Sequence, residues 1–212
     1  MTFGVFFERY GQKLLEAIFV HLGYVLVCII IGFILGMLLA ILLSRFPKTS
    51  KVVLPVVSVF QTIPGMVFIG ILFLYLGMEP VTVIIALSVW AMFPVLKNTY
   101  AGILNVEPSL KEAAKGCGMS KMQILAKIEI PNSMGPIFSG LRMSAIYTVS
   151  WTVLTAMIGL GGLGEFIYRG IDANLSYLII GGALPTSIMA ILFGYLIDMV
   201  QKKVTPRGLK GG

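Results

Sequence analysis

Apolar residues run almost unbroken through five stretches of this chain, roughly 17–44, 52–77, 80–96, 136–158 and 175–200. About 20 apolar residues suffice to cross a bilayer as a helix, so each stretch is read as a span. The second carries Pro55 and the segment Gln61-Thr62-Ile63-Pro64-Gly65. Proline removes a backbone donor, and a membrane helix tolerates it only where neighbours re-satisfy the freed carbonyls. That span is expected to be broken or kinked. Ahead of the first stretch, Phe3, Phe6, Phe7, Tyr10, Leu14 and Leu15 recur at helical spacing among Glu8, Arg9 and Lys13. The pattern fits an amphipathic lead-in lying at the membrane interface. It fits a frayed start to the first span equally well.

The interval from Lys97 to Pro131 breaks this pattern and is polar and basic. Glu107-Pro108 opens a short helix, because proline suits the first helical position. The helix continues from Ser109 to Gly116, with Gly118 placed as a left-handed cap. Ser120 starts a second helix. Gln123 completes a capping box with it, and Met119 and Ile124 are placed as a hydrophobic staple. Pro131 is expected to end that helix. Residues 107–131 thus form two short helices angled by a glycine hinge. Ala113 and Ala114 offer a small surface between Lys111, Glu112 and Lys115, suited either to a docking partner or to an ordinary solvated loop.

Composition supports the membrane reading. Charged residues make up 12% of the 212 residues and hydrophobic residues 58%, against about 25% charged in soluble domains. The net charge of +7 is unevenly placed. Arg45, Lys48, Lys51, Lys97, Lys111, Lys115, Lys121, Lys127, Arg142, Lys202, Lys203, Arg207 and Lys210 fall on one side of a five-span arrangement. Arg9, Lys13 and Arg169 fall on the other. Lys and Arg concentrate on the cytoplasmic side, so the N-terminus is expected outside and the polar element and C-terminus in the cytoplasm. This is a topology signal, not a nucleic-acid patch.

Several chemistries are excluded or demoted. Cys28 and Cys117 lie apart, with no CxxC or Cys/His cluster, so no metal site is expected. The first apolar run is too long for a signal peptide and lacks a cleavage pattern. No G-x-x-x-x-G-K-[ST] occurs, so an ATP site must lie on another chain. Residues 159–164 match G-x-G-x-x-G, but a dinucleotide fold needs a strand before and a βαβ unit around it. Gly161, Gly162 and Gly164 are read instead as an outer turn, close to a gate or simply packed tightly. No cofactor is expected, and no catalytic role is assigned to the single histidine, His21. Lys97, Arg142 and Asp198 all fall near expected span ends, whereas ion-coupled carriers need mid-span charge. The fourth stretch is unusually polar, with Ser144, Thr148, Ser150, Thr152 and Thr155. Tyr147 and Trp151 share a face there, suited to helix packing or to a cation–π contact. Gln61 and Pro64 either line a pathway or shape the kink.

The spacing of Glu112-Ala113-Ala114, Gly118, Ile128 and Ile130-Pro131 resembles the EAA motif of binding-protein-dependent ABC importer permeases. Ile130 replaces the usual leucine. The resemblance implies an all-α, type I importer-like permease of five membrane helices, a single domain over residues 1–212 in a bacterial inner (plasma) membrane. It implies that Glu112, Ala113, Ala114, Gly118, Ile128 and Pro131 belong to a coupling element docking into a cytoplasmic ATPase. It further implies a second permease, identical or similar, and an extracellular or periplasmic binding protein. Phe60-Gln61-Thr62-Ile63-Pro64, Lys97-Asn98-Thr99-Tyr100 with Gly102-Ile103, and Gly161-Gly162-Leu163-Gly164 are similar to the osmoprotectant branch. That branch handles the quaternary ammonium solutes glycine betaine, carnitine and choline. Methionine-type permeases share the five-span layout and stay open as an alternative. A channel or ion-coupled carrier working alone, and a non-transporting anchor, are the remaining alternatives.

Overall fold

The structure is a computed structural model and describes residues 3–205, all helix and connecting turns without strands. Phe3 carries a described backbone only, and Arg207 and Lys210 of the basic tail lie outside the described residues. The chain runs through α1 (Phe3–Arg45), α2 (Pro47–Phe60), α3 (Gly65–Leu76) and α4 (Pro80–Leu104). It continues through α5 (Pro108–Gly116), α6 (Lys121–Ile124), a π-turn (Leu125–Glu129) and α7 (Ile130–Asn132). Then come α8 (Met134–Thr152), a tighter 3-10 turn (Val153–Ile158), α9 (Gly164–Asp172) and α10 (Ser176–Val204). Among the described residues four helices are long and apolar enough to cross a membrane, giving up to five spans if α2 and α3 count as one bent span.

At two boundaries one of the expected alternatives holds, and a third differs from expectation. The lead-in is no separate element. α1 is one helix of 43 residues, about 65 Å long and over twice the hydrocarbon thickness. Its first turns do not lie free at an interface: Phe6 and Tyr10 pack edge-on or tilted against Tyr177 of α10 and Phe166 of α9. The second span is broken outright, with α2 and α3 meeting at 96°. Pro64 has no N–H to donate and stands as the N-cap of α3 in extended backbone, so the ladder of α2 cannot pass through it. The helix of the third expected span, α4, does not stop near Leu96 but continues to Leu104. Leu96, Thr99, Gly102 and Ile103 are buried there, so packing extends the helix beyond its apolar run.

α4 is the central helix, pressed between α1 and α8. Lipid is as apolar as leucine, so membrane helices associate through close packing rather than water exclusion. Glycine permits that approach. A Cβ on Gly32 of α1 would sit 2.6 Å from Ala91 Cβ, and one on Gly36 would sit 2.8 Å from Val95 Cβ. From the other side, a Cβ on Gly140 of α8 would fall 2.8 Å from the Pro94 carbonyl oxygen. The polar stripe of α8 is consumed in the same packing. Ser144 Oγ donates to the Ala91 carbonyl at 2.7 Å. Thr148, Thr152 and Thr155 are buried and donate to carbonyls three or four residues back. Ser144 alone bonds across to α4, while the three threonines are satisfied within their own helical turns, and Tyr147 and Ser150 stay exposed.

Candidate functional site

The polar element closes by local chemistry. Gly118 takes φ +75°, a left-handed conformation that glycine enters without a Cβ penalty. Around it the Met119 N–H donates to the Ala114 carbonyl at 3.0 Å and the Gly118 N–H to Lys115 at 2.9 Å. This pair of bonds satisfies the last carbonyls of α5 as a Schellman cap. Ser120 then opens α6 with a complete capping box. The Gln123 N–H donates to Ser120 Oγ at 3.3 Å, and the Ser120 N–H donates to Gln123 Oε1 at 2.8 Å. Glu112, Ala113 and Gly118 are exposed. Ala114 is not part of that surface. It turns inward and is buried, because it lies on the face of α5 that packs back on the element.

Pro131 does not end the second helix. The π-turn ahead of it lengthens one ring, with the Ile130 N–H donating to Leu125. One inserted residue of this kind accommodates a break in the helical ladder, and the chain stays helical to Asn132. Ile128 lies in that π-turn and, like Pro131, is half-buried. The Ile128 carbonyl accepts from Asn132 Nδ2 at 2.6 Å.

The sequence reading missed the residue at the end of this π-turn. Glu129 is 4% exposed. Both its carboxylate oxygens accept from the Arg45 guanidinium at the end of α1. Lys111 of α5 stands 3.8 Å away and also donates to the Ile103 carbonyl at 3.0 Å. One buried carboxylate therefore ties α1, α5 and the π-turn to each other. A two-pronged guanidinium contact is directional as well as strong. Its only sequence signal was an acid beside a run of basic residues, indistinguishable from a solvated face.

The second region is an aromatic pocket of about 290 Å³, lined by Gln61, Leu87, Trp90, Pro94, Tyr147, Thr148 and Trp151. Trp90 stacks on Trp151 with centroids 6.0 Å apart and planes within 8°. Phe68 and Phe93 meet Trp90 edge-on. The break after α2 brings Gln61 to the pocket. It also brings Gly65, whose Cβ would lie 2.3 Å from the Trp151 ring. Gln61, Tyr147 and Trp151 thus come together as pathway candidates. Pro64 does not line the pocket and acts through the bend. Trp90 is an addition that its apolar sequence context concealed. Lys97 donates to Gln61 at the edge of this pocket. It lies within α4, which continues beyond it to Leu104.

Gly161, Gly162 and Gly164 stand apart from both regions. Gly161 (φ +76°) and Gly162 (φ +88°) line a separate 380 Å³ pocket with Tyr10, Lys13, Glu165 and Arg169. A Cβ on Gly164 would lie 2.0 Å from the Val153 carbonyl oxygen, so its part is close packing. The Thr155 hydroxyl donates to the Gly161 carbonyl at 3.0 Å and fixes the turn. His21 is buried under this turn, with Nε2 3.0 Å from the Val149 carbonyl. Cys28 is buried and Cys117 exposed.

A helical bundle with one broken span and a folded polar element between its third and fourth spans defines a class. The chain belongs to the family of binding-protein-dependent transport system inner membrane components, whose model matches residues 32–209. It is a membrane permease of that family. It is 37% identical over 205 residues to the carnitine transport permease protein OpuCB of Listeria monocytogenes, covering 97% of this chain and 94% of that one. It is 36% identical over 206 residues to the glycine betaine/carnitine/choline transport system permease protein OpuCB of Bacillus subtilis (strain 168), covering 97% and 95%. Among solved structures, the inward-facing MetNI methionine ABC transporter superposes with a TM-score of 0.83 at 20% identity, over 97% of this chain and 100% of that one. That likeness is one of fold.

Proposed function

We propose that this chain is the permease subunit of an ATP-driven importer of a quaternary ammonium osmoprotectant such as glycine betaine, carnitine or choline. The Trp90–Trp151–Tyr147 pocket carries the solute assignment, because aromatic walls recognise quaternary ammonium groups by cation–π attraction. The relatives' named solutes agree with that chemistry. Two permease chains, this one twice or this one with a similar one, frame the pathway, each contributing one domain over residues 1–212. A binding protein outside delivers solute, and the N-terminus lies on that side. The element at residues 107–131 and the C-terminus face the cytoplasm.

The chain itself performs no hydrolysis. A partner ATPase docks on the exposed Glu112, Ala113 and Gly118, while Ala114, Ile128 and Pro131 hold the element's shape. Glu129 passes its displacement to α1 through Arg45. Nucleotide binding supplies the differential free energy that shifts the spans between inward- and outward-open states. Uptake of labelled betaine, carnitine and choline by the reconstituted complex tests this reading. ATP-dependent accumulation of at least one of them is expected. Accumulation of methionine alone would favour the methionine-type alternative. Transport without any ATPase chain would favour the channel or ion-coupled carrier.

A further inference from the structure

Lys97 is a charge that the uptake reading leaves unused. It follows Trp90 and Pro94 on α4 at spacings that put all three on one face. Its ammonium donates to Oε1 of Gln61, a residue of the pocket wall. Among the described residues no carboxylate lies within ion-pair distance of it. An ammonium carries three donors, and one is met. The indole N–H of Trp90 is a second unmet donor, buried without an acceptor. No Asp or Glu lines the pocket. A cation on a membrane-spanning helix that has no carboxylate partner is a candidate for a functional role.

We infer that the pocket selects a zwitterion, a quaternary ammonium that carries its own carboxylate. The ammonium lies against the aromatic wall and the carboxylate meets Lys97. A solute of this class, betaine or carnitine, brings the acceptor the pocket lacks and adds no net charge. Choline brings a net positive charge toward Lys97 and only a hydroxyl in return. The inference rests on the reading of the pocket as the quaternary ammonium site, and it adds selectivity within this chain to whatever a binding protein provides.

The chain has two tryptophans, and both line the pocket. Intrinsic fluorescence of the full chain in lipid vesicles therefore reports on this site alone, with no binding protein or ATPase present. Glycine betaine, choline and tetramethylammonium are the probes. Betaine is expected to shift the emission at about tenfold lower concentration than choline, the worth of one charge-assisted contact. Lys97→Gln should erase that preference while keeping the tetramethylammonium response, and Lys97→Arg should retain it. Equal responses to betaine and choline in the unmodified chain would overturn the zwitterion inference alone. So would a preference that survives Lys97→Gln, or a Lys97→Gln chain that also loses the tetramethylammonium response. If none of the three probes moves the emission, the quaternary ammonium reading fails and the inference falls with it.

Discussion

In the element at residues 107–131 the closing hydrogen bonds join residues three to five apart, such as Gly118 to Lys115 and Met119 to Ala114. The aromatic pocket joins Gln61, Trp90 and Trp151, three segments distant in sequence. The first region takes its shape from capping chemistry. The second exists only because α2 breaks and α4 packs against α8. Local closure suits an element proposed to be pushed as a unit. Walls carried on separate helices suit a proposed solute site that opens and closes.

The sharpest way to break this contrast is at Glu129, where the local element is fastened to the distant α1. Glu129→Ala leaves Arg45 without its counter-ion. Because the Arg45 side chain is 36% exposed and keeps access to water, the loss falls at the lower end of the range for a broken buried pair, about 3 kcal/mol. Thermal unfolding of the purified chain should show that loss, and Glu129→Gln should show less. A stability equal to the unmodified chain would detach the element from α1. Next in size is Gly65→Val, whose side chain would enter the Trp151 ring position. Overpacking of this kind costs about 1–3 kcal/mol. Tryptophan emission should shift and solute uptake should fall, with ATP hydrolysis by the assembled complex retained. Gly118→Val forces a β-branched residue into left-handed backbone, at a cost of about 1–2 kcal/mol. The chain should still insert in the membrane while uptake uncouples from hydrolysis. Unchanged uptake together with unchanged solute-stimulated hydrolysis would remove the coupling assignment. The smallest effect is expected from Ser120→Ala, which deletes one half of the capping box for about 1 kcal/mol. Its measure is faster amide exchange confined to α6, with uptake nearly intact.

The same contrast explains which features are legible in the sequence alone. Ser120, Gln123 and Gly118 announce their roles through spacing, because cap geometry depends on neighbours a few residues away. The break near Pro64 is legible for the same reason, since a missing N–H is a local fact. Glu129 is not legible. Its burial depends on Arg45, 84 residues away, and on Lys111 from another helix. Trp90 reads as one more apolar residue until the bend at 61–64 turns Gln61 and Gly65 toward it. The end of α4 is misread because Thr99, Gly102 and Ile103 are held by tertiary packing beyond the apolar run. The polar stripe on α8 is visible in sequence, but only the structure divides it. Ser144 bonds the Ala91 carbonyl of α4, and Tyr147, Thr148 and Trp151 line the pocket.

In the proposed function, ATP bound on a partner chain moves a quaternary ammonium solute through this chain by way of the Gly118 element. The most direct test is uptake of labelled glycine betaine into vesicles holding this chain with its ATPase and binding protein. ATP-dependent accumulation is expected, lost when the ATPase is omitted and strongly reduced by Gly118→Val while hydrolysis continues. Uptake that proceeds at full rate without the ATPase, or undiminished in the Gly118→Val complex, would contradict the claim.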